Sequence, residues 1–161
     1  MSLSPWTAVA VSVVAWTILG IVSGVAVHAL PQQRLDHDTW LTRQRAFEAD
    51  GRWYERTLRI RRWKDRLPEG GAWLPGGVSK TRLPGRSDAD LAGFAAETRR
   101  AEIVHWVNLA AGPWFFIWCP PLIGGSMVAF GVIAHTPFIC VQRYNRARIA
   151  PTTARRSRRA N

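Results

Sequence analysis

Two long stretches of this chain carry no Lys, Arg, Asp or Glu: residues 1–33 and Ile103–Gln142. Runs of that kind restrict the fold more than any other feature here. Inside a bilayer every backbone polar group must find its partner within the protein, so an uncharged apolar run is expected as helix. A crossing of about 30 Å takes about 20 residues at 1.5 Å each. Pro5–Leu30 is long enough for one crossing. The second run has 40 residues, too many for one crossing and enough for two short ones. Pro120-Pro121 and Gly124-Gly125 mark the turn, because adjacent prolines cannot continue a helix interior. The expected fold is an all-α integral membrane protein with three transmembrane helices in a single membrane domain, 1–161. An N-terminal span, 5–30, is followed by a C-terminal helical hairpin, 104–119 and 122–141. A signal peptide fits the first run poorly: it lacks a basic n-region and exceeds the usual apolar core of about 7–15 residues.

Orientation follows from basic residues near the span ends. The segment 31–102 holds 15 Arg and Lys against 11 Asp and Glu, and the tail 143–161 holds seven Arg and no acid. Both are expected in the cytoplasm, with the N-terminus outside, in a multi-pass membrane protein. The tail's arginines would lie against anionic lipid. A net charge of +11 could also suggest nucleic acid, but 47% hydrophobic residues, nine tryptophans and the long uncharged runs fit a small membrane protein. No nucleic-acid partner is expected, and a homo-oligomer is left open. Cys119 and Cys140 lie in apolar runs without metal-type spacing and are expected as small fillers.

Where the charged segment meets the second run the sequence is ETRRAEIVHW, Glu97–Trp106. With Glu97 at zero on a helical wheel, Asn108, Phe94, His105, Thr98, Leu91 and Glu102 fall between about 20° and 140°. Arg99 and Arg100 point elsewhere. Glu102 and His105 are spaced i, i+3 and can meet. At membrane depth such a pair is costly to keep without a purpose, although an interfacial anchor is the plainer reading. His28, His37 and His135 have no convincing partner in the sequence.

In the middle segment Asp38 is expected to cap a helix through Trp40, Leu41 and Phe47 that stops at Gly51. Trp53–Trp63, WYERTLRIRRW, is amphipathic as strand or as helix, and is expected on the membrane surface. Lys64–Leu83 is a Pro- and Gly-punctuated loop without a phosphate-binding pattern. Ser87 opens a long helix, with Asp90 completing a capping box.

Four blocks carry a family resemblance. FEADGRWYERTLRIRRWKDRLPEGG (Phe47–Gly71) has a WKD core at Trp63, Lys64 and Asp65. ETRRAEIVHW supplies Glu97, Thr98, Arg100, Ala101, Glu102, His105 and Trp106. Pro120-Pro121 and PFICVQRYNRARI (Pro137–Ile149) complete the set. Together they resemble the glycosyl-4,4'-diaponeurosporenoate acyltransferase family of carotenoid biosynthesis. The first 46 residues share only a span followed by Leu-Pro, and Cys119 stands where an Asn is common.

The resemblance implies transfer of a fatty acyl chain to a sugar hydroxyl of a glycosylated carotenoid or related glycolipid. Such chemistry needs a base for the hydroxyl proton. His105 is the candidate, with Glu102 holding its tautomer. No GxSxG is present, so direct transfer from acyl-CoA or a similar thioester is expected, with no bound cofactor and no metal. Glu97, Arg100, Lys64, Asp65, Arg143, Tyr144, Asn145 and Arg146 are the candidate substrate-binding residues. For the arginines of QRYNR, anchoring at the membrane face competes with that role. The alternative is a non-catalytic lipid- or pigment-binding partner of a larger enzyme. A metal- or nucleotide-dependent enzyme ranks below both.

Overall fold

A computed structural model describes residues 3–68 and 87–160. Residues 69–86, which include most of the expected loop, lie outside the described part. Among the described residues the chain is helical and has no strand. The helices are α1 (Pro5–His28), α2 (Arg52–Thr57), α3 (Asp88–Ala111) and α4 (Pro121–Ala160), with short 3-10 turns between them. Two stretches are long and apolar enough to cross a membrane: Pro5–His28 and Pro121–Pro151.

The chain divides into two compact units. The first comprises residues 1–30 and 103–137, the second residues 31–102 and 138–161. On α4 the division falls at Pro137, whose ring removes an interior helical hydrogen bond.

In the first unit, Ser4 caps α1 by accepting from the Thr7 N–H at 3.4 Å, and Pro5 occupies the first turn. The buried positions of α1 are Ala8, Ser12, Ser23 and Val27. Its large apolar side chains, among them Val13, Val14, Ile18, Ile21, Val22 and Val25, face outward. That is the reverse of a helix in water, and it suits a helix whose surroundings are apolar. Trp16 stacks on Phe115 at 4.8 Å between ring centroids and meets the edge of Phe130 at 5.6 Å. Gly131 admits this indole: a Cβ there would lie 3.0 Å from Trp16.

The expected uniform helix over 104–119 is corrected. The α-helix stops at Ala111, and Gly112–Ile117 forms a 3-10 turn with Pro113 in its first turn. The turn ahead of α4 ends at Pro120, and Pro121 starts α4, a position where its missing N–H costs nothing. Gly124 and Gly125 lie inside α4. A Cβ on Gly124 would meet the Phe116 ring at 2.5 Å, so that glycine lets the 3-10 turn close against the helix.

In the second unit the expected helix over 38–51 is absent. Residues 39–42 form a turn held by hydrogen bonds between Thr39 and Thr42, followed by a 3-10 turn over Ala46–Gly51. Asp38 caps no helix; its carboxylate accepts from Arg99 at 2.7 Å. Gly51 does end that turn, with φ +89°. Trp53–Trp63 is neither one strand nor one helix: α2 gives way at Arg59, at φ +49°, to a 3-10 turn over Ile60–Arg62. The placement of this segment on a membrane surface is corrected for its central side chains. Tyr54 and Ile60 are buried with Tyr144, and Trp53, Leu58 and Trp63 pack around them.

The capping box forms as expected: the Ser87 N–H donates to Asp90 at 3.2 Å, and the Asp90 N–H donates to Ser87 Oγ at 3.1 Å. The expected buried face of α3 is also present. Leu91, Phe94, Thr98, Glu102 and Asn108 are buried, and His105 is half-buried. α4 does not end near Val141. It runs on to Ala160, and Tyr144, Ala147 and Ile149, expected in a basic tail, are core residues.

Candidate active site

The second unit is held by a buried charge cluster. Glu102 and Glu48 are almost wholly buried, and Arg143 and Arg146 nearly so. Arg143 Nη1 donates to one oxygen of Glu102 at 2.6 Å, and Arg146 Nη2 donates to the other at 2.5 Å. Arg143 Nε donates to Glu48 at 2.7 Å. Backbone carbonyls accept as well: Arg143 donates to those of Leu41 (3.3 Å) and Arg43 (2.8 Å), and Arg146 Nη2 also to that of Thr42 (2.6 Å). Two carboxylates and two guanidiniums balance. Only the planar fork of arginine spans so many acceptors at once. Burial of charge is tolerated because partners satisfy it, and loss of one partner is typically worth 3–5 kcal/mol.

Tyr54 completes the cluster by donating to Glu48 at 2.7 Å. Burial, and then the neighbouring Glu48 carboxylate, push its phenol well above the usual range. Tyr144 donates to Glu55 at 2.7 Å, and its ring fills the space that Gly51 leaves open. Among the described residues, four buried polar atoms on this part of α4 have no hydrogen-bond partner: Gln142 Oε1, Asn145 Nδ2, and Arg146 Nε and Nη1. Arg146 Nε lies 3.9 Å from Asp38.

The first unit is apolar apart from a few polar groups. His105 on α3 and His135 on α4 face each other with their Nδ1 atoms 3.1 Å apart. The Trp16 ring packs on His135 at 5.6 Å between centroids. Asn108 donates to Ser23 Oγ at 2.7 Å and to the Val104 carbonyl at 2.8 Å, and its Oδ1 is buried without a hydrogen-bond partner. Ser12 Oγ lies 3.3 Å from Cys119 Sγ, so Cys119 is a buried filler with a weak polar contact.

The expected site residues are therefore distributed. Glu102, Arg143 and Arg146 are brought together, with Tyr144 and Asn145 on the same stretch of α4. Glu97 pairs with Arg100 at 3.0 Å, and Lys64 pairs with its neighbour Asp65. His105 sits in the first unit. Two residues that complete these clusters were not expected. Glu48 is 95 positions from Arg143, and no local pattern joins them. His135 does have a partner, contrary to expectation. The available signal was its presence, as a polar ring, in an otherwise uncharged apolar run.

Among the described residues no group of three or more His, Cys, Asp or Glu could hold a metal ion. A family model for glycosyl-4,4'-diaponeurosporenoate acyltransferase matches residues 37–155. Curated relatives of that name include one from Staphylococcus aureus (strain USA300), 28% identical over 64% of this chain and 62% of its own length. Another, from Staphylococcus haemolyticus (strain JCSC1435), is 33% identical over 65% of this chain and 60% of its own. The chain thus covers about three fifths of each relative. No solved structure matches. The match extends from the Asp38 turn through α2, α3 and the charge cluster to α4 beyond Arg146, and on that footing the chain belongs to the glycosyl-4,4'-diaponeurosporenoate acyltransferase family.

Proposed function

We propose that this chain is a multi-pass enzyme of the bacterial cell membrane that transfers a fatty acyl chain from acyl-CoA, or a similar thioester, to a sugar hydroxyl of a glycosylated carotenoid or related glycolipid. The observation that carries the proposal is His105, an imidazole held at a defined position by His135 in a largely apolar unit. Family membership supports the reaction type and the acceptor.

In this scheme the sugar hydroxyl oxygen attacks the thioester carbonyl carbon while its proton passes to His105. The tetrahedral intermediate collapses with cleavage of the C–S bond, and the departing thiolate takes that proton. The products are an ester and a free thiol, and His105 returns neutral. Arg146 and Asn145 supply donors for polar groups of the substrates. Their buried, unpartnered N–H groups support that role. Arg143, whose donors are engaged, holds Glu102 in place within the charge cluster. Tyr144, Glu97, Arg100, Lys64 and Asp65 complete the proposed set of substrate-binding residues. The first span, 104–119 and 122–141 each cross the membrane, with the N-terminus outside and the basic segments in the cytoplasm among anionic lipids.

The test is acylation of a glycosylated carotenoid in membranes supplied with acyl-CoA, followed by mass spectrometry. His105→Ala should lose about 10²–10⁴ in rate at equal membrane abundance, the usual worth of a general base. Near-full activity would discard His105 as base and favour a binding protein that serves another enzyme.

A further inference from the structure

Two imidazoles that meet through the same ring atom cannot both be donors there. One Nδ1 must carry hydrogen and the other must offer its lone pair. At 3.1 Å the contact is a hydrogen bond. It therefore couples the tautomers of the two rings. If His105 Nδ1 carries the hydrogen, His105 Nε2 is a lone pair and can act as base. If His135 Nδ1 carries it, His105 Nε2 is the protonated atom and the ring cannot accept a proton there.

From this geometry we infer that His135 is the positioning residue of the reaction: its Nδ1 accepts from His105 Nδ1–H and so keeps His105 Nε2 basic. The inference rests on the base role of His105 proposed above. When His105 takes the substrate proton, the imidazolium keeps the same Nδ1–H···Nδ1 bond, now charge-assisted and stronger. Both rings cannot be protonated together, because two N–H groups would then point at each other across 3.1 Å. The pair thus holds one extra proton at a time, which is what one transfer step requires. His135 in turn is placed by packing. Trp16 lies against its ring, and Gly131, one helical turn before it on α4, makes room for that indole. In the acid–histidine arrangement of hydrolases a carboxylate performs this task. Here a neutral ring does so, which spares an apolar unit the cost of a buried anion.

Two substitutions at His135 separate positioning from packing, studied in the full chain in membranes or detergent. Asn places its Oδ1 where the His135 Nδ1 stood, so His135→Asn retains the acceptor and should keep a rate close to wild type. Phe fills the ring volume without an acceptor, so His135→Phe should lose roughly 10²-fold in kcat, the scale on which a misplaced catalytic group is felt, with KM little changed. Nitrogen-15 NMR of histidine-labelled protein should show His105 as the Nδ1–H tautomer in wild type and in His135→Asn, and a shift toward Nε2–H in His135→Phe. Equal activity in His135→Phe and wild type, with His105→Ala still dead, would overturn this inference and leave the base intact. An Nε2–H tautomer of His105 in wild type would overturn it as well. Full activity in His105→Ala would instead bring down the reading beneath it.

Discussion

In the first unit the buried positions of α1 are Ala8, Ser12, Ser23 and Val27; in the second the buried positions of α4 include Gln142, Arg143, Asn145 and Arg146. In the first unit α1 turns small residues inward and large apolar ones outward, and the few polar contacts are small local groups. The second turns arginines and carboxylates inward and binds them to one another and to backbone carbonyls, with Arg146 Nε and Nη1 left unpartnered. The difference follows from what each must exclude. Where the surroundings are apolar, burial of Leu or Val gains little, so close backbone approach and single polar pairs determine packing. Where the chain is rich in charge, as from Asp36 to Glu102, a buried ionic cluster with directional partners can join distant segments and specify one arrangement.

Several substitutions should break this contrast. The largest effect is expected at Arg143. Arg143→Ala leaves Glu48 and Glu102 buried without their shared partner and should cost the second unit about 3–5 kcal/mol. Thermal unfolding of the detergent-solubilised protein would show it as a lower midpoint or as failure to accumulate. Arg143→Lys should rescue little, since an ammonium cannot reach two carboxylates and two carbonyls in one plane.

A smaller effect separates the glycines. Gly51→Ala places a Cβ at φ +89° and 3.1 Å from the Tyr144 ring, and should destabilise by about 1–2 kcal/mol. Gly20→Ala meets nothing within 4 Å and should be neutral or slightly stabilising, because Ala favours a helix over Gly by roughly 0.5–1 kcal/mol. Equal losses at the two positions in denaturation curves would erase the distinction between a tight second unit and an outward-facing α1.

The smallest effect is a pH dependence. The Tyr54 phenol is raised in the fold, first by burial and then by Glu48. A group raised in the fold favours folding fully below its ordinary value of 10.0, and that contribution is lost as pH rises beyond it. Stability should therefore be flat through neutral pH and fall in the alkaline range. In Tyr54→Phe this part of the fall should be gone, with a modest loss at neutral pH from the missing hydrogen bond to Glu48. An unchanged alkaline slope in chemical denaturation would place the titration elsewhere.

What the sequence made legible was local. The Ser87–Asp90 box and the buried face of α3 depend on spacings of three and four residues, and both form as expected. The uncharged runs marked α1 and the first part of α4. The expectations that failed depended on competition between signals. Gly112-Pro113 ends the regular helix before Pro120-Pro121 can, and the residues after Gln142 read as a basic tail against anionic lipid although Tyr144, Ala147 and Ile149 among them are core. Neither period could describe Trp53–Trp63, because Arg59 in a left-handed conformation divides it. The charge cluster is half visible: Glu102, Arg143 and Arg146 stand out in the sequence, but the Glu48–Arg143 bond closes a loop that no spacing encodes.

Arg143 also sets an order in time. Its donors engage groups at positions 41, 43, 48 and 102, all of which leave the ribosome before it does. Until residue 143 emerges, Glu48 and Glu102 have no guanidinium from α4 and must remain hydrated, so the middle segment cannot complete its core during synthesis. Contacts this distant in sequence are slow to close and leave the intermediate open to misassembly. A nascent chain arrested before Arg143 should be cut readily by protease between positions 38 and 60, and one arrested well beyond it should resist.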